Sequence, residues 1–308
     1  MITTQLKERV IAALAEKRAK FAGTDKRFAI SIGINYSIYS RLKNGDTDKI
    51  LNDAIWISFA RKYDVSLNDD PKWITAETPV YEFITRQLKF CQDNHASRIL
   101  CDFPDIGKTY TAREFVKENQ SSIYVDCAQV KTKQKLVRYI AKEFGVDHTG
   151  KYSDVYAYLV FYLRTLPNPL IILDEAGDLD YPAFLELKAL WNATERTCGW
   201  YMMGADGLKE KMRRSIDCKK VGYTELFSRY GSRYQKASPD GSEDFKQFKV
   251  VHAAMIIKAN LPTDPASPPH SPPAGGGGKT PPVNIQQMIV RCDYSLRRIA
   301  DELRKIQG

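Results

Sequence analysis

Arg98-Ile99-Leu100-Cys101-Asp102-Phe103-Pro104-Asp105-Ile106-Gly107-Lys108-Thr109 runs from a short apolar stretch straight into a Gly-Lys-Thr triplet. Arg98 to Cys101 reads as a strand, and a helical pattern begins near Lys108 and runs to Glu118. At such a junction the backbone N–H groups of a helix N-terminus can wrap phosphates, an ammonium can reach the terminal ones, and a hydroxyl can hold Mg2+. Gly107, Lys108 and Thr109 supply that chemistry, and Asp105, Ile106 and Tyr110 are counted with them as nucleotide-binding positions. The pattern is imperfect. G-x-x-x-x-G-K-[ST] has glycine where Asp102 stands, and Asp105 occupies another place where glycine is frequent. Two carboxylates beside a triphosphate are unfavourable unless they point away.

A second motif lies downstream. Leu170-Ile171-Ile172-Leu173 is a continuous apolar run of strand length, and it delivers Asp174-Glu175 at its C-terminal end, where open parallel sheets bind ligands. Asp174 there would hold Mg2+ through water, and Glu175 would orient or deprotonate the water that attacks the γ-phosphate. Capping of a following helix is the simpler use of such a pair. The two motifs, in this order and separated by two helical blocks and one strand, together point to a site for ATP and Mg2+.

Around these motifs strands and helices alternate. Further strands are expected at Ser122 to Asp126 and Trp200 to Gly204, and helices at Val80 to Asn94, Thr132 to Phe144, Ser153 to Thr165 and Pro182 to Arg196. This alternation predicts an α/β fold, a parallel sheet with helices on both faces. Upstream, Gln5 to Phe21 and Leu51 to Tyr63 carry helical periodicity. Between them Asp25 to Ile32 forms a short helical pattern, Gly33 suits a tight turn, and Asn35 or Ser37 can cap a second helix reaching Leu42 before Asn44-Gly45. Three segments are therefore expected: a small all-α domain over 1–70, a core over 78–237, and a helical region over 238–308. The last is interrupted at 262–282 by a proline-, serine- and glycine-rich insertion that cannot pack a core.

The 308 residues, 43% of them hydrophobic, can bury full cores. Lysine and arginine exceed aspartate and glutamate by 46 to 37, a net charge of +9, which favours polyanionic partners. The six cysteines are scattered without C-x-x-C pairs, so neither a disulfide framework nor a zinc site is indicated. No stretch of roughly 18 apolar residues and no leader pattern is found, and a cytoplasmic protein without membrane association is expected.

With these motifs in view, the chain from about Thr78 to Lys305 resembles the AAA+ ATPases. The resemblance implies a phosphate-loop core with a parallel sheet and a helical lid, and it implies further site residues. Asp206, just after the fourth strand, takes the place of a γ-phosphate sensor. Phe227-Ser228-Arg229-Tyr230-Gly231-Ser232-Arg233 resembles the segment offering an arginine finger to a neighbouring subunit, with Arg233 the first choice and Arg229 the alternative. Ser295-Leu296-Arg297-Arg298-Ile299-Ala300 resembles the lid helix whose arginine reaches the nucleotide, and Arg297 aligns best. Each of these arginines could instead be a solvated surface charge.

The N-terminal stretch Phe28 to Gly45 resembles the helix-turn-helix of phage repressors. That implies Asn35, Tyr36, Ser37, Ser40, Arg41 and Lys43 facing DNA, the basic ones mostly at phosphates; a plain three-helix packing module is the alternative. A repressor-like domain joined to an AAA+ module of this size is similar to the target-selecting ATPases of phage Mu-like transposition. The resemblance implies ATP-driven assembly into a ring or helical homo-oligomer on double-stranded DNA, recruitment of a DDE-type transposase, and release on hydrolysis. It also places Lys131, Lys133 and Lys135, after the second strand, in a DNA-lining loop, unless they are only the exposed start of a helix. Lys209, Lys211, Arg213, Arg214, Lys219 and Lys220 form a second basic cluster that reads more readily as solvated. A replication initiator or helicase loader, and a transcription regulator switched by ATP, are the competing readings.

Overall fold

A computed structural model describes residues 2–19, 21, 23–63, 65, 67, 73–261 and 284–307. The expected insertion at 262–282 lies outside them. Contacts divide the chain into two compact units, residues 1–73 with 304–308, and residues 74–303.

In the first unit four helices follow one another: α1 (Thr4–Ala19), α2 (Asp25–Ser31), α3 (Tyr36–Lys43) and α4 (Asp53–Lys62). Side chains four apart on α1 bury Leu6, Val10 and Leu14 together with Phe28, Tyr39 and Trp56. The Phe28 ring meets Phe21 and Tyr39 edge-on, each at 5.3 Å between centroids. The turn between α2 and α3 forms at Gly33, whose φ of 83° suits glycine. Of the two capping residues expected for α3, Asn35 takes the role, its Oδ1 accepting from the Ser37 N–H at 3.1 Å.

The second unit is built on a sheet of five parallel strands: β1 (Ser97–Cys101), β2 (Ser122–Asp126), β3 (Leu170–Asp174), β4 (Gly199–Gly204) and β5 (Tyr234–Gln235), in the spatial order β2-β3-β4-β1-β5. The helices are α5 (Pro79–Asp93), α6 (Lys108–Glu118), α7 (Lys133–Glu143), α8 (Tyr152–Thr165), α9 (Tyr181–Ala193), α10 (Asp206–Asp217), α11 (Tyr223–Arg229), α12 (Ser242–Asn260), α13 (Ile285–Arg291) and α14 (Leu296–Gln307), whose last residues fall in the other unit.

The strand pleat explains the layering. Successive side chains alternate between faces, so Leu170 and Ile172 join Tyr201 and Met203 beneath α5 and α6, while Ile171 and Leu173 join Trp200 and Met202 beneath α7, α8 and α9. Both faces are covered, which is why the strands read as unbroken apolar runs rather than alternating ones. Each fully buried leucine or isoleucine contributes about 1.5–3 kcal/mol relative to exposure. Strands β1, β2, β3 and β4 fall within a residue of their expected limits; β5 was not anticipated. Among the described residues no helix is long and apolar enough to cross a membrane.

Candidate functional site

The strand order puts β1 and β3 on either side of β4, so the loop after β1 and the Asp174-Glu175 pair after β3 open at the same end of the sheet. Gly107 caps α6 with φ 92°, a conformation open to glycine and strained for other residues. Lys108 is buried, its Nζ folded onto the loop's own carbonyls, 3.0 Å from Asp102 O and 2.5 Å from Phe103 O. Burial pushes the Lys108 pKa down, against the opposing pull of Asp102, Asp174 and Glu175. Thr109, the second residue of α6, donates from Oγ1 to Asp174 Oδ2 at 2.6 Å across 65 positions of sequence. The two motifs therefore meet.

Asp174 is fully engaged and 1% exposed. Its Oδ2 also accepts from the Tyr124 hydroxyl at 2.8 Å, and its Oδ1 from the Glu175 N–H at 2.9 Å. A hydroxyl and a carboxylate held together at the mouth of a phosphate-binding loop are the hard oxygen donors that Mg2+ takes, usually one or two from protein with water and phosphate completing the shell. Thr109 and Asp174 fit that ion. Glu175 is exposed, its backbone left-handed at φ 48°. Partial desolvation and then the neighbouring Asp174 push its pKa up.

The carboxylates of both aspartates in the loop are taken up by other parts of the chain. Asp102 is 1% exposed and outside the left-handed region, so glycine is not required there. Its Oδ1 accepts from Phe103 N at 2.8 Å and from the Ser238 hydroxyl; its Oδ2 accepts from Ala237 N at 2.7 Å and Ser238 N at 2.9 Å. Asp105 does have a positive φ, 60°, which accounts for glycine being frequent at that place. Its carboxylate accepts from Ser295 Oγ at 2.7 Å and lies 3.8 Å from the Arg297 Nε, so the loop is fastened to the turn before α14. Arg297 is 85% exposed. Ile106 is buried in the core beneath α5 and α6, and the Tyr110 hydroxyl is 2.6 Å from Thr75 Oγ1.

Beside the loop lies a cavity of about 340 Å³ lined by Pro79, Asp244, Gln247, Phe248, Val251 and His252. His252 Nε2 is 4.0 Å from where a Cβ on Gly107 would stand, and its ring stacks on Phe248 at 5.7 Å. Its Nδ1 is buried without a hydrogen-bond partner among the described residues, and burial pushes the imidazole pKa down to about 4. His252, Phe248, Tyr124 and Ser238 escaped the sequence reading. Polar and charged residues run along the whole of α12, so nothing local in the sequence singles out His252; its burial, shared with Asn260, does.

Asp206 is exposed at the first position of α10, directly after β4. The two arginines of the finger segment differ in setting. Arg229, at the end of α11, packs its guanidinium 5.3 Å from the Trp191 ring centre, whereas Arg233, after the left-handed Ser232, is exposed.

The expected DNA-facing residues are less uniform than anticipated. On α3 Asn35, Tyr36, Ser37, Arg41 and Lys43 are exposed and Ser40 is half-buried, but Arg41 pairs with Asp46 at 2.8 Å and Lys43 with Asp25 at 3.0 Å. Lys131, Lys133 and Lys135 do not form one row. Lys133 begins α7, so Lys133 and Lys135 project about 200° apart around the helix. Lys131 lies 3.8 Å from Asp178, Lys133 bonds Glu186 at 3.0 Å, and Lys135 is exposed. In the other basic cluster Arg213 and Arg214 pair with Glu210, and Lys211 turns inward.

Residues 93–212 match the protein-family model described as an AAA domain. Among similar proteins are a "Potential ATP-binding protein" of Staphylococcus aureus, 26% identical over 55% of this chain and 56% of that one. The "ATP-dependent target DNA activator B" of Escherichia phage Mu is 24% identical over 68% of this chain and 67% of its own. The "Mu-like prophage FluMu DNA transposition protein B" of Haemophilus influenzae is 25% identical over 50% and 53%. The chain thus spans only about half to two thirds of the relatives it matches.

Proposed function

With an AAA domain at the centre of its larger unit and phage Mu-type transposition proteins among its homologues, we propose that this chain is a cytoplasmic, Mg2+-dependent ATPase that assembles on double-stranded DNA and engages a DDE-type transposase. The observation that carries the ATPase part is the 2.6 Å hydrogen bond from Thr109 to Asp174, which joins a loop hydroxyl to a strand-end carboxylate where the two motifs open. The names of the phage Mu and Haemophilus relatives support the DNA and transposition part.

In this reading the N–H groups from Asp105 to Tyr110 cradle the phosphates and Lys108 leaves its carbonyl partners for the terminal ones. The cavity beside Phe248 and His252 takes the flat base. Thr109 and Asp174 would hold Mg2+, which would offset the charge of the phosphates. Glu175 orients a water in line with the γ-phosphate and accepts its proton. Asp206 senses that phosphate, Arg297 approaches from the lid, and Arg233 of a neighbouring copy stabilises the charge developing on the transferred group, so turnover requires a homo-oligomer. Arg41, Lys43, Lys131, Lys133 and Lys135 exchange their carboxylates or solvent for DNA phosphates, making binding steeply salt-dependent.

Calorimetry of Mg-ATP with wild type and Lys108→Ala, and electron microscopy on duplex DNA with and without ATP, test this. Uptake by wild type alone and ATP-dependent filaments on arbitrary duplex are expected. ATP-independent binding to a single palindrome would refute it.

A further inference from the structure

Between β3 and α9 the chain crosses the mouth of the site in a short loop, Glu175 to Asp180, whose one regular piece is a 3-10 turn over Ala176–Asp178. This loop carries Glu175 as its first residue, and its backbone is held from two sides. On one side the Lys211 ammonium donates to the carbonyl oxygens of Gly177 at 2.7 Å and Leu179 at 2.5 Å. On the other the Asp180 N–H donates to Lys131 O at 2.9 Å. Gly177 lies so near α10 that an added Cβ would stand 3.3 Å from the Leu208 Cα.

Lys211 belongs by sequence to a run of surface charges, but its neighbours Arg213 and Arg214 spend theirs on Glu210 beside them. Lys211 instead lies across the Phe184 ring at 5.2 Å, and burial pushes its pKa down against the pull of Asp178 and Asp180. Ordering a lysine and partly desolvating its charge is unfavourable without good acceptors. Two backbone carbonyls, a pair that no apolar residue could satisfy, supply them.

The position of Glu175 explains what the clamp holds. Its left-handed backbone persists only where flanking structure fixes it, and its carbonyl accepts from the Asp178 N–H at 2.9 Å, inside the segment Lys211 pins. Lys211 stands on α10, the helix that begins with Asp206. One ammonium therefore ties the loop starting at Glu175 to the helix starting at Asp206, fixing the separation of two carboxylates on the γ-phosphate side of the site.

We propose that Lys211 is a positioning residue for ATP hydrolysis, acting through Glu175 and touching neither nucleotide nor water. This rests on the ATPase reading of the site. Leu179 and Ala176 are fully buried, so the loop keeps its apolar anchors when the ammonium is removed and loses only its angle.

Steady-state ATPase assays on the full chain with duplex DNA test it, using wild type, Lys211→Met, Lys211→Arg, Glu175→Gln and the Glu175→Gln/Lys211→Met double variant. Misplacement of a reacting group by an ångström costs on the order of a hundredfold, so Lys211→Met is expected to lower kcat by about ten- to a hundredfold. KM, calorimetric Mg-ATP affinity and melting temperature should stay near wild type. Arginine, which can donate to both carbonyls, restores most of the rate. In the Glu175→Gln background Lys211→Met causes no further loss. The proposal is overturned if Lys211→Met keeps the wild-type kcat, if affinity or melting temperature falls in step with kcat, or if the two losses multiply in the double variant. Should Lys211→Met not purify, Lys211→Gln takes its place with the same outcomes. A wild type that shows no ATP turnover on duplex DNA would instead sink the ATPase reading, and it shows before any Lys211 variant is compared; turnover that ignores Glu175→Gln would place the base elsewhere and overturn the proposal with it.

Discussion

Asp102→Gly, which would restore the glycine that phosphate-loop patterns ask for at that place, is expected to harm the protein. The backbone at 102 avoids positive φ, so glycine offers no relief of strain there. The carboxylate it removes accepts three backbone N–H groups, from Phe103, Ala237 and Ser238, and the Ser238 hydroxyl. Ser238 is 6% exposed and Ala237 half-buried, so water can reach some of these donors but not all. An unsatisfied buried donor costs about 1–3 kcal/mol, and glycine's extra chain entropy adds roughly 0.5–1 kcal/mol. Relief from desolvating a carboxylate offsets part of this. A net loss on the order of 3 kcal/mol is expected, well within the roughly 5–15 kcal/mol that holds a domain folded. Urea denaturation followed by tryptophan fluorescence should show the midpoint lowered at unchanged slope, with Mg-ATP affinity no better than wild type. Equal midpoints, or tenfold tighter binding, would refute the view that Asp102 serves the fold rather than crowding the phosphates.

Glu175→Gln should bind Mg-ATP as wild type does while turnover falls by at least about a hundredfold; an undiminished rate would show that the base lies elsewhere. Because burial and Asp174 raise the Glu175 pKa, the base is protonated at pH values where an ordinary glutamate is still ionised. The acid limb of the kcat profile should therefore begin above the usual glutamate range. His252, neutral when folded down to about pH 4 against 6.5 when free, leaves the unfolded chain binding the extra proton between those values. Its contribution is present above pH 6.5 and is lost as pH falls toward 4, up to about 3 kcal/mol. His252→Phe should flatten that part of the stability profile, and identical slopes would count against it. Arg233→Ala should keep nucleotide binding but lose turnover, and mixing it with Lys108→Ala should raise activity above either alone; no recovery would point to Arg229 or to hydrolysis without a partner.

Much of the sheet was legible because burial on both faces leaves strands such as Leu170–Asp174 without a polar residue until their end. The two motifs were legible because their chemistry is local. What failed to show was long-range. Nothing near Asp102 in sequence announces Ala237 and Ser238, 135 and 136 positions on. Strand β5 is two residues long, too short for periodicity. Helix α10 was hidden by its charges, although Leu208 and Met212, four apart, are its buried face. Of the lysines at 131, 133 and 135, the last two fall on α7, the helix start that the sequence left open beside a loop, and Lys131 precedes it.

The bond from Asp105 to Ser295 has a further consequence for how such chains diverge. A carboxylate in the loop and a hydroxyl 190 residues later are matched parts. Transplanting the C-terminal helices of a glycine-loop relative would strand Asp105 beside a surface that no longer answers it, and the reverse graft would strand the serine. Hybrids should therefore tolerate exchange of both segments together far better than exchange of either alone.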